Sequence, residues 1–504
     1  MRTENKTIRK MLAVLLFLCL SASLLPGCGQ KVVSEAPTEP VSQTSGNTKA
    51  TEAEKTVLRV VIESSIHGNL PDSFEAGVVM LERQFRLYHR DVEVIIEKIP
   101  KEEGREEVLQ RLRTELMMGE GPDVILLPTA PNSRILGTHV EALFPDVQQA
   151  VRNGLFMDLG TWYDADTELG SEGLNKTVMD AGLYNGGRYV LPLCYNLPMV
   201  CVDKKAFAES GVRQDIWELG TADFLNAVAL LEDPADVGSF YQRYYQNDFI
   251  SYGDPLSFNF FPQLIDYDTG EVAVTREELA EYLRAWQAYR VRLGEAINAG
   301  GGISGTDSIQ QYYGQNAWSV YWAKEGHFAS CGSLFNAPDD ILLARSNGVE
   351  LDMYPLRAMD GSVVADVTMY GAISSGCEHP EIAYAFLREF LTEGFQLDTA
   401  LETYGWPVRT GGSVQERCSS AYMLLKYGGG TAYTAVNNEN VTDEEMPVLN
   451  VPIDHVQFSI PLEAEFGDTV ISVYDFRSQQ ATSADIDQLA QDWIKKLQIH
   501  VDEG

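Results

Sequence analysis

Apolar residues along this chain keep two rhythms, and between residues 56 and 127 the two alternate. TVLRVVIE, residues 56–63, is almost continuously aliphatic, as a strand covered on both faces requires. Over residues 73–89 the spacing turns helical, with Phe74, Val78, Leu81 and Phe85 on one face. VEVIIEK predicts a second strand. Val108, Leu112 and Leu116, at i, i+4 and i+8, predict a second helix with Gly119 as its stop, and Val124 to Leu127 a third strand. Strand, helix, strand, helix, strand predicts a parallel sheet with right-handed crossovers. Ligands in such sheets bind beyond the carboxyl ends of the strands, which directs attention to the loops after Ile62 and Leu127.

The pattern continues in the same α/β style. GLFMDLGTW predicts a helix and loop, and NGGRYVLPLCYNLPMVCVDKKAF a Gly-turned hairpin running into further strands. TADFLNAVALL predicts a helix with Thr221 as N-cap. Residues 380–393 predict one with Pro380 at its start and Gly394 just past its end. Ser483 is expected to cap the last helix, whose Ile486, Leu489, Trp493 and Leu497 form an apolar stripe.

The N-terminus follows another grammar. Arg2, Lys6, Arg9 and Lys10 precede the apolar run Met11 to Leu20, as in a secretory leader. That run is short of the roughly 20 residues that a spanning helix needs. Leu25-Pro26-Gly27-Cys28 resembles the bacterial lipobox, which implies a lipid attached to Cys28 and an extracytoplasmic protein anchored to the cell membrane. Residues 28–56, rich in Ser, Thr, Pro and Glu and without an aromatic residue, cannot bury enough apolar surface to order themselves and read as a disordered linker.

Composition adds limits. Residues 57–504 exceed the size at which one core usually divides, so two lobes are expected. The formal charge of −35 repels nucleic acid and anionic headgroups. Cys194, Cys201, Cys331, Cys377 and Cys418 are odd in number, widely spaced and free of any CxxC, so they read as buried thiols. DYDTGEVAVTRE spaces its acids like a calcium loop, but Gly270 falls one place early, and an Asp-Thr-Gly hairpin is expected instead. GGGISGT lacks the spacing of a nucleophile elbow, and the seven histidines form no HExxH. No metal, cofactor or catalytic site is expected.

LRTELMMGEGPDVILLP resembles the signature of extracellular solute-binding proteins, family 1, of ABC importers, the group similar to maltose-binding protein. GLFMDLGTW, the NGGRYVLPL hairpin, IDYDTGEVAVTREELAEYLRAW, YYGQNAWSVYW, MYGAISSGCEHPEIAYAFLREFLTEGFQ and YGWPVR follow in the family's order. The resemblance implies an α/β, two-lobed periplasmic-binding-protein-like fold of type II, with strand exchange at a hinge. It divides the chain into a signal peptide at 1–27, the linker at 28–56, an N-terminal lobe at 57–191 plus 371–412, and a C-terminal lobe at 192–370 plus 413–504. Crossovers are expected near Leu191 to Asn196, Met369 to Ala372 and Val408 to Ser420. The implied function is capture of a carbohydrate, an oligosaccharide, by lobe closure for an ABC permease, with no catalysis.

Sugars offer apolar C–H faces to aromatic rings and hydroxyls to planar polar groups. Tyr195, Tyr252, Tyr321, Trp322, Tyr370 and Trp406 lie in segments that match the family's cleft-lining regions. Asn196 stands at the first crossover, where sugar-binding relatives carry a polar ligand contact. Ser64, Ser65 and His67 after the first strand, and Thr129 and Asn132 after the third, belong at the cleft mouth by the carboxyl-end rule. Two alternatives differ in class: a surface glycan hydrolase using two of Asp164, Asp166, Asp254 and Asp268, and a sensor presenting ligand to a membrane kinase.

Overall fold

The computed structural model describes residues 55–63, 73–101, 103–129, 141–169, 173–233, 236–237, 260–298, 329–334, 341, 349–396, 405–410, 451–458, 472–475, 478 and 480–503. The sequence rhythm of the first third is realised as β1 (Thr56–Glu63), α1 (Ser73–Tyr88), β2 (Val92–Ile99), α2 (Arg105–Met118) and β3 (Val124–Pro128). β1 pairs in parallel with β2 on one side and β3 on the other. Phe74, Val78, Leu81 and Phe85 are all buried on α1, while Met80, Leu87 and Tyr88 on its other face are exposed. Gly119 ends α2 in the left-handed region at φ 74°, where glycine carries no Cβ penalty.

Short helices follow: α3 (Val147–Arg152), α4 (Gly160–Ala165) and α5 (Lys176–Asp180). The Gly-turned hairpin is β4 (Leu183–Tyr184) with β5 (Gly187–Arg188), and it leads into β6 (Val190–Asn196). One residue, Leu197, separates β6 from β7 (Pro198–Asp203), which belongs to a different sheet. α6 (Lys204–Ser210), α7 (Thr221–Ala229), the hairpin β8 (Ile265–Asp266) and β9 (Glu271–Val272), and α8 (Arg276–Asn298) come next. β10 (Ala329–Ser333) and β11 (Leu351–Pro355) flank β7, antiparallel on both sides. The chain then returns through β12 (Val364–Ile373), α9 (Pro380–Leu387), α10 (Glu393–Gln396), β13 (Trp406–Pro407) and β14 (His455–Phe458), and ends in α11 (Ile486–Glu503).

The larger sheet has the order β13-β6-β12-β3-β1-β2, with β14 also on β12. β12 runs antiparallel to β3 and β6. Both faces of this sheet are covered. Leu58, Val60, Ile62, Val124 and Leu126 pack with α1 and α9 on one side; Val61, Ile125 and Leu127 pack with α2 and α3 on the other. A separate core is built from β7, α7, α8 and α11, around Trp286, Tyr282, Tyr289 and Trp493. The described residues thus pack around two centres, the larger sheet with a cluster on each face and the separate core, joined where strands pass from one sheet to the other.

Three end signals fall differently from the sequence expectation. Thr221 is the first residue inside α7 rather than its cap; Gly220 holds that place, and the Thr221 hydroxyl donates to the Arg357 carbonyl. Asp485, not Ser483, caps α11, its carboxylate accepting from the Gln488 N–H at 3.2 Å. The helix expected over 380–393 stops being α-helical at Leu387, tightens into a 3₁₀ turn over Arg388–Leu391 and breaks at Thr392, whose backbone is extended. Gly394 therefore lies inside α10. The pull is tertiary: Arg388 binds the Asp166 carboxylate through Nε at 2.5 Å and Nη2 at 3.1 Å. The Asp-Thr-Gly hairpin forms as expected, with Asp266 accepting from the N–H groups of Asp268 and Thr269 and Gly270 at φ 74°.

Candidate functional site

The carboxyl edge of the larger sheet is where the two centres meet. β1 ends at Glu63, β3 at Pro128 and β6 at Asn196, all at the same edge, because β6 is antiparallel to β12 and β12 antiparallel to β3. β12 overshoots β3 there, and β14 takes the vacated side, pairing Val364 to Val367 with His455 to Phe458. The register puts Asn196 opposite Asp366, and Asp366 opposite Gln457. Cross-strand partners share a face and stand about 4.8 Å apart from strand to strand. The three residues therefore form a row, carboxamide, carboxylate, carboxamide, across the strands that link the lobes. Beside it a register irregularity interrupts β12 between Val367 and Tyr370.

Of the candidates read from the sequence, five lie among the described residues. Asn196 is half-buried in the polar row. Tyr195 and Trp406 are opposite one another on β6 and β13, both buried in the first centre. Gly405 precedes Trp406 at φ 158°, where a Cβ would come within 2.7 Å of the Tyr195 carbonyl, so the approach of the two strands depends on that glycine. Tyr370 is only 1% exposed and meets Phe458 edge-on with ring centroids 6.2 Å apart. Burial, with the nearby Glu63 charge, holds its hydroxyl far above the ordinary tyrosine range, so it stands as a packed core ring. Thr129 is buried too, its hydroxyl donating to the Val367 carbonyl at 2.6 Å. Ser64, Ser65, His67, Asn132, Tyr252, Tyr321, Trp322 and Cys28 lie outside the described residues.

Sequence reading missed Asp366 and Gln457. The available signal was Asp366 itself, an acid inside the otherwise apolar VVADVTMYGAI. It also missed the arrangement at the end of β1. There the Glu63 carboxylate, 2% exposed, accepts from Arg105 Nη2 at 2.5 Å. The same guanidinium binds the Pro100 carbonyl at 2.9 Å and the Glu141 carbonyl at 3.0 Å through Nε. Arg113, two turns on along α2, holds the carbonyls of Ala142 and Leu143. α2 thus pins the chain where it re-enters after β3. Burial pushes the Glu63 carboxyl up to about 7, and the Arg105 charge draws it back only part of the way.

Next to the polar row lies a cavity of about 260 Å³. Gln148, Asp180 and Leu183 line it from the first lobe, Gln263 and Tyr267 from the second, and His455 and Gln457 from the linking strand. Among the hydrolase candidates, Asp166 is committed to Arg388, Tyr384 and the Leu169 N–H, and its carboxyl lies below the usual range despite burial because of those donors. Asp268 sits in the β8–β9 turn, in the other lobe, and Asp254 lies outside the described residues. Among the described residues there is no group of three or more His, Cys, Asp or Glu able to hold a metal ion, and no helix long and apolar enough to cross a membrane.

No family model matches the sequence, and no curated protein matches it. Solved structures do. The sugar-binding protein MalE from Xanthomonas citri is 13% identical, covers 89% of this chain and 98% of its own, and superposes with a TM-score of 0.50. A galacto-N-biose/lacto-N-biose I-binding protein from Bifidobacterium longum is 13% identical over 90% of this chain and 98% of its own, with a TM-score of 0.49. A de novo designed cysteine esterase, ECH19, is 13% identical over 89% and 99%, with a TM-score of 0.50. At such identity the likeness establishes the fold alone, an α/β fold that this chain shares with the Xanthomonas citri protein over most of both chains.

Proposed function

We propose that this chain is the substrate-binding protein of an ABC importer, anchored by a lipid on Cys28 outside the cell membrane, and that it captures an oligosaccharide between its lobes for a permease. The observation that carries the reading is the Asn196–Asp366–Gln457 row on the strands linking the two lobes. A carboxylate between two carboxamides offers paired acceptors and donors at a strand spacing comparable to that of hydroxyls two carbons apart on a sugar ring. A solute held there touches both lobes, so it favours one lobe arrangement and shifts its population, which a permease can read. The name of the Xanthomonas citri protein, a sugar-binding protein, agrees with this choice of solute.

In this reading Asn196 is a direct contact, and Tyr195 and Trp406 back the row from the core. Tyr252, Tyr321 and Trp322 supply stacking faces, Ser64 and Asn132 the rim, and Tyr370 supports the strand behind them. The leader at 1–27 and the linker at 28–56 carry the lobes to the outer face of the membrane.

Thermal unfolding of the purified protein against mono- and oligosaccharides, amino acids and short peptides tests the proposal. A solute at about 100 times its dissociation constant adds roughly 2.7 kcal/mol to the native state. A rise in melting temperature with one sugar class, without product, supports it. A rise with amino acids or peptides alone, or hydrolysis of a glycan, overturns it.

A further inference from the structure

The second feature of the lobe boundary lies on α3. Asp146, its N-cap, accepts the Gln149 N–H through Oδ1 at 3.0 Å. The other oxygen faces the second lobe, where the Tyr267 hydroxyl donates to it at 2.5 Å. His500 Nε2, on α11 of that lobe, lies 3.5 Å from the same oxygen. Gln149 donates across to the Val501 carbonyl at 3.3 Å. Arg152 lies against the β8–β9 turn, within 2.8 Å of where a Cβ on Gly270 would sit. Positions 146, 149 and 152 are spaced i, i+3, i+6 and so share one helix face, and that whole face meets the other lobe. The partners are fixed in their turn: Gln498 of α11 donates to the Gly270 carbonyl at 3.2 Å and accepts the Val272 N–H at 3.4 Å. Burial and the Asp146 charge hold the Tyr267 phenol well above its ordinary pKa, so the hydroxyl remains a donor.

We propose that Asp146, Gln149 and Arg152 form a latch between the lobes, closed by Tyr267 and the end of α11, that sets the balance of lobe positions without touching the solute. This rests on the solute-binding reading only for its consequence, that solute affinity follows the lobe equilibrium. Tyr267 and Gln148 also line the cavity beside the latch, so the cavity changes shape when the lobes turn. A hydrogen bond from a neutral donor to a buried carboxylate is strong enough to shift a two-state balance about tenfold.

The test uses nitroxide labels on cysteines placed at the exposed positions Glu93, in the first lobe, and Glu281, in the second. Cys194, Cys201 and Cys377 are buried, and the other cysteines are replaced by serine. Pulsed distance measurements without solute should show Tyr267→Phe shifting or broadening the distribution, by about tenfold in the ratio of its components. Asp146→Asn, which keeps a capping oxygen, should do the same, and the double variant should add little because the two changes remove one bond. An unchanged distribution in Tyr267→Phe overturns the proposal. With solutes, both variants should change every affinity by one common factor; a reordering of solutes would mean that Tyr267 or Asp146 touches the ligand, and would also overturn it. If nothing in the panel binds, the solute reading falls, and the label distances still decide the latch.

Discussion

Two buried acids, each at an edge of the larger sheet's lobe, have opposite kinds of partner. Glu63 closes β1 and is answered by a guanidinium from the same lobe, which also grips Pro100 and Glu141. Asp146 opens α3 and is answered by a phenol from the other lobe, with the His500 imidazole 3.5 Å away. A guanidinium with every bond taken inside one lobe secures folding. A carboxylate met by a neutral donor across a boundary can let go without unfolding either side. The difference separates what holds a lobe together from what relates one lobe to the other.

Removing the countercharge should have the largest effect. Arg105→Leu leaves Glu63 buried without its partner and should lower unfolding stability by about 3–5 kcal/mol at pH 8, read as the urea midpoint. At pH 5 the loss should shrink, since a protonated Glu63 needs no cation; equal losses at both pH values would contradict the buried-pair account.

The second test is the pH profile of the parent protein. Burial raises the folded Glu63 carboxyl from an ordinary 4.5 to about 7, so the folded state binds the proton more tightly. The resulting stabilisation is complete below about 4.5 and fades as the pH rises through 7, a change of roughly 3 kcal/mol. Glu63→Gln should flatten that slope. A slope of the same size in the variant would assign it to another group.

Tyr267→Phe should be milder for folding, about 1 kcal/mol, with its main effect on lobe positions. Were it to unfold the protein as Arg105→Leu does, the comparison of the two acids would collapse. Asp485→Ala should remove about 1 kcal/mol by uncapping α11, whereas Ser483→Ala should change little. Smallest of all, Arg213→Ala breaks a fully exposed pair with Asp215 and should leave the melting temperature unmoved, as surface ion pairs do.

The candidate site was only partly legible. Asn196 was singled out because it ends a strand at a lobe crossing, and the register sets it opposite Asp366. Its neighbours Asp366 and Gln457 lie 170 or more positions further along the chain, and only the β6–β12–β14 register brings the three together. The helix ends show the same limit on a smaller scale. Ser483 and Thr221 are good capping residues by type, yet Asp485 caps α11 and Gly220 α7, because the hydroxyl of Thr221 is spent on Arg357 in another segment.

By itself the sequence determined the alternation of strands and helices in the first lobe, the parallel order that follows from it, the turn at Gly270 and the stop at Gly119. These are local facts: apolar spacing selects the element, and a residue without Cβ tolerates positive φ. Tertiary structure alone decided which acids are buried, which donors answer them, and that one face of α3 meets Tyr267 and α11. Those depend on residues from 42 to 352 positions apart arriving at one place, and the free energy of a buried charge is set by what surrounds it rather than by its neighbours in sequence.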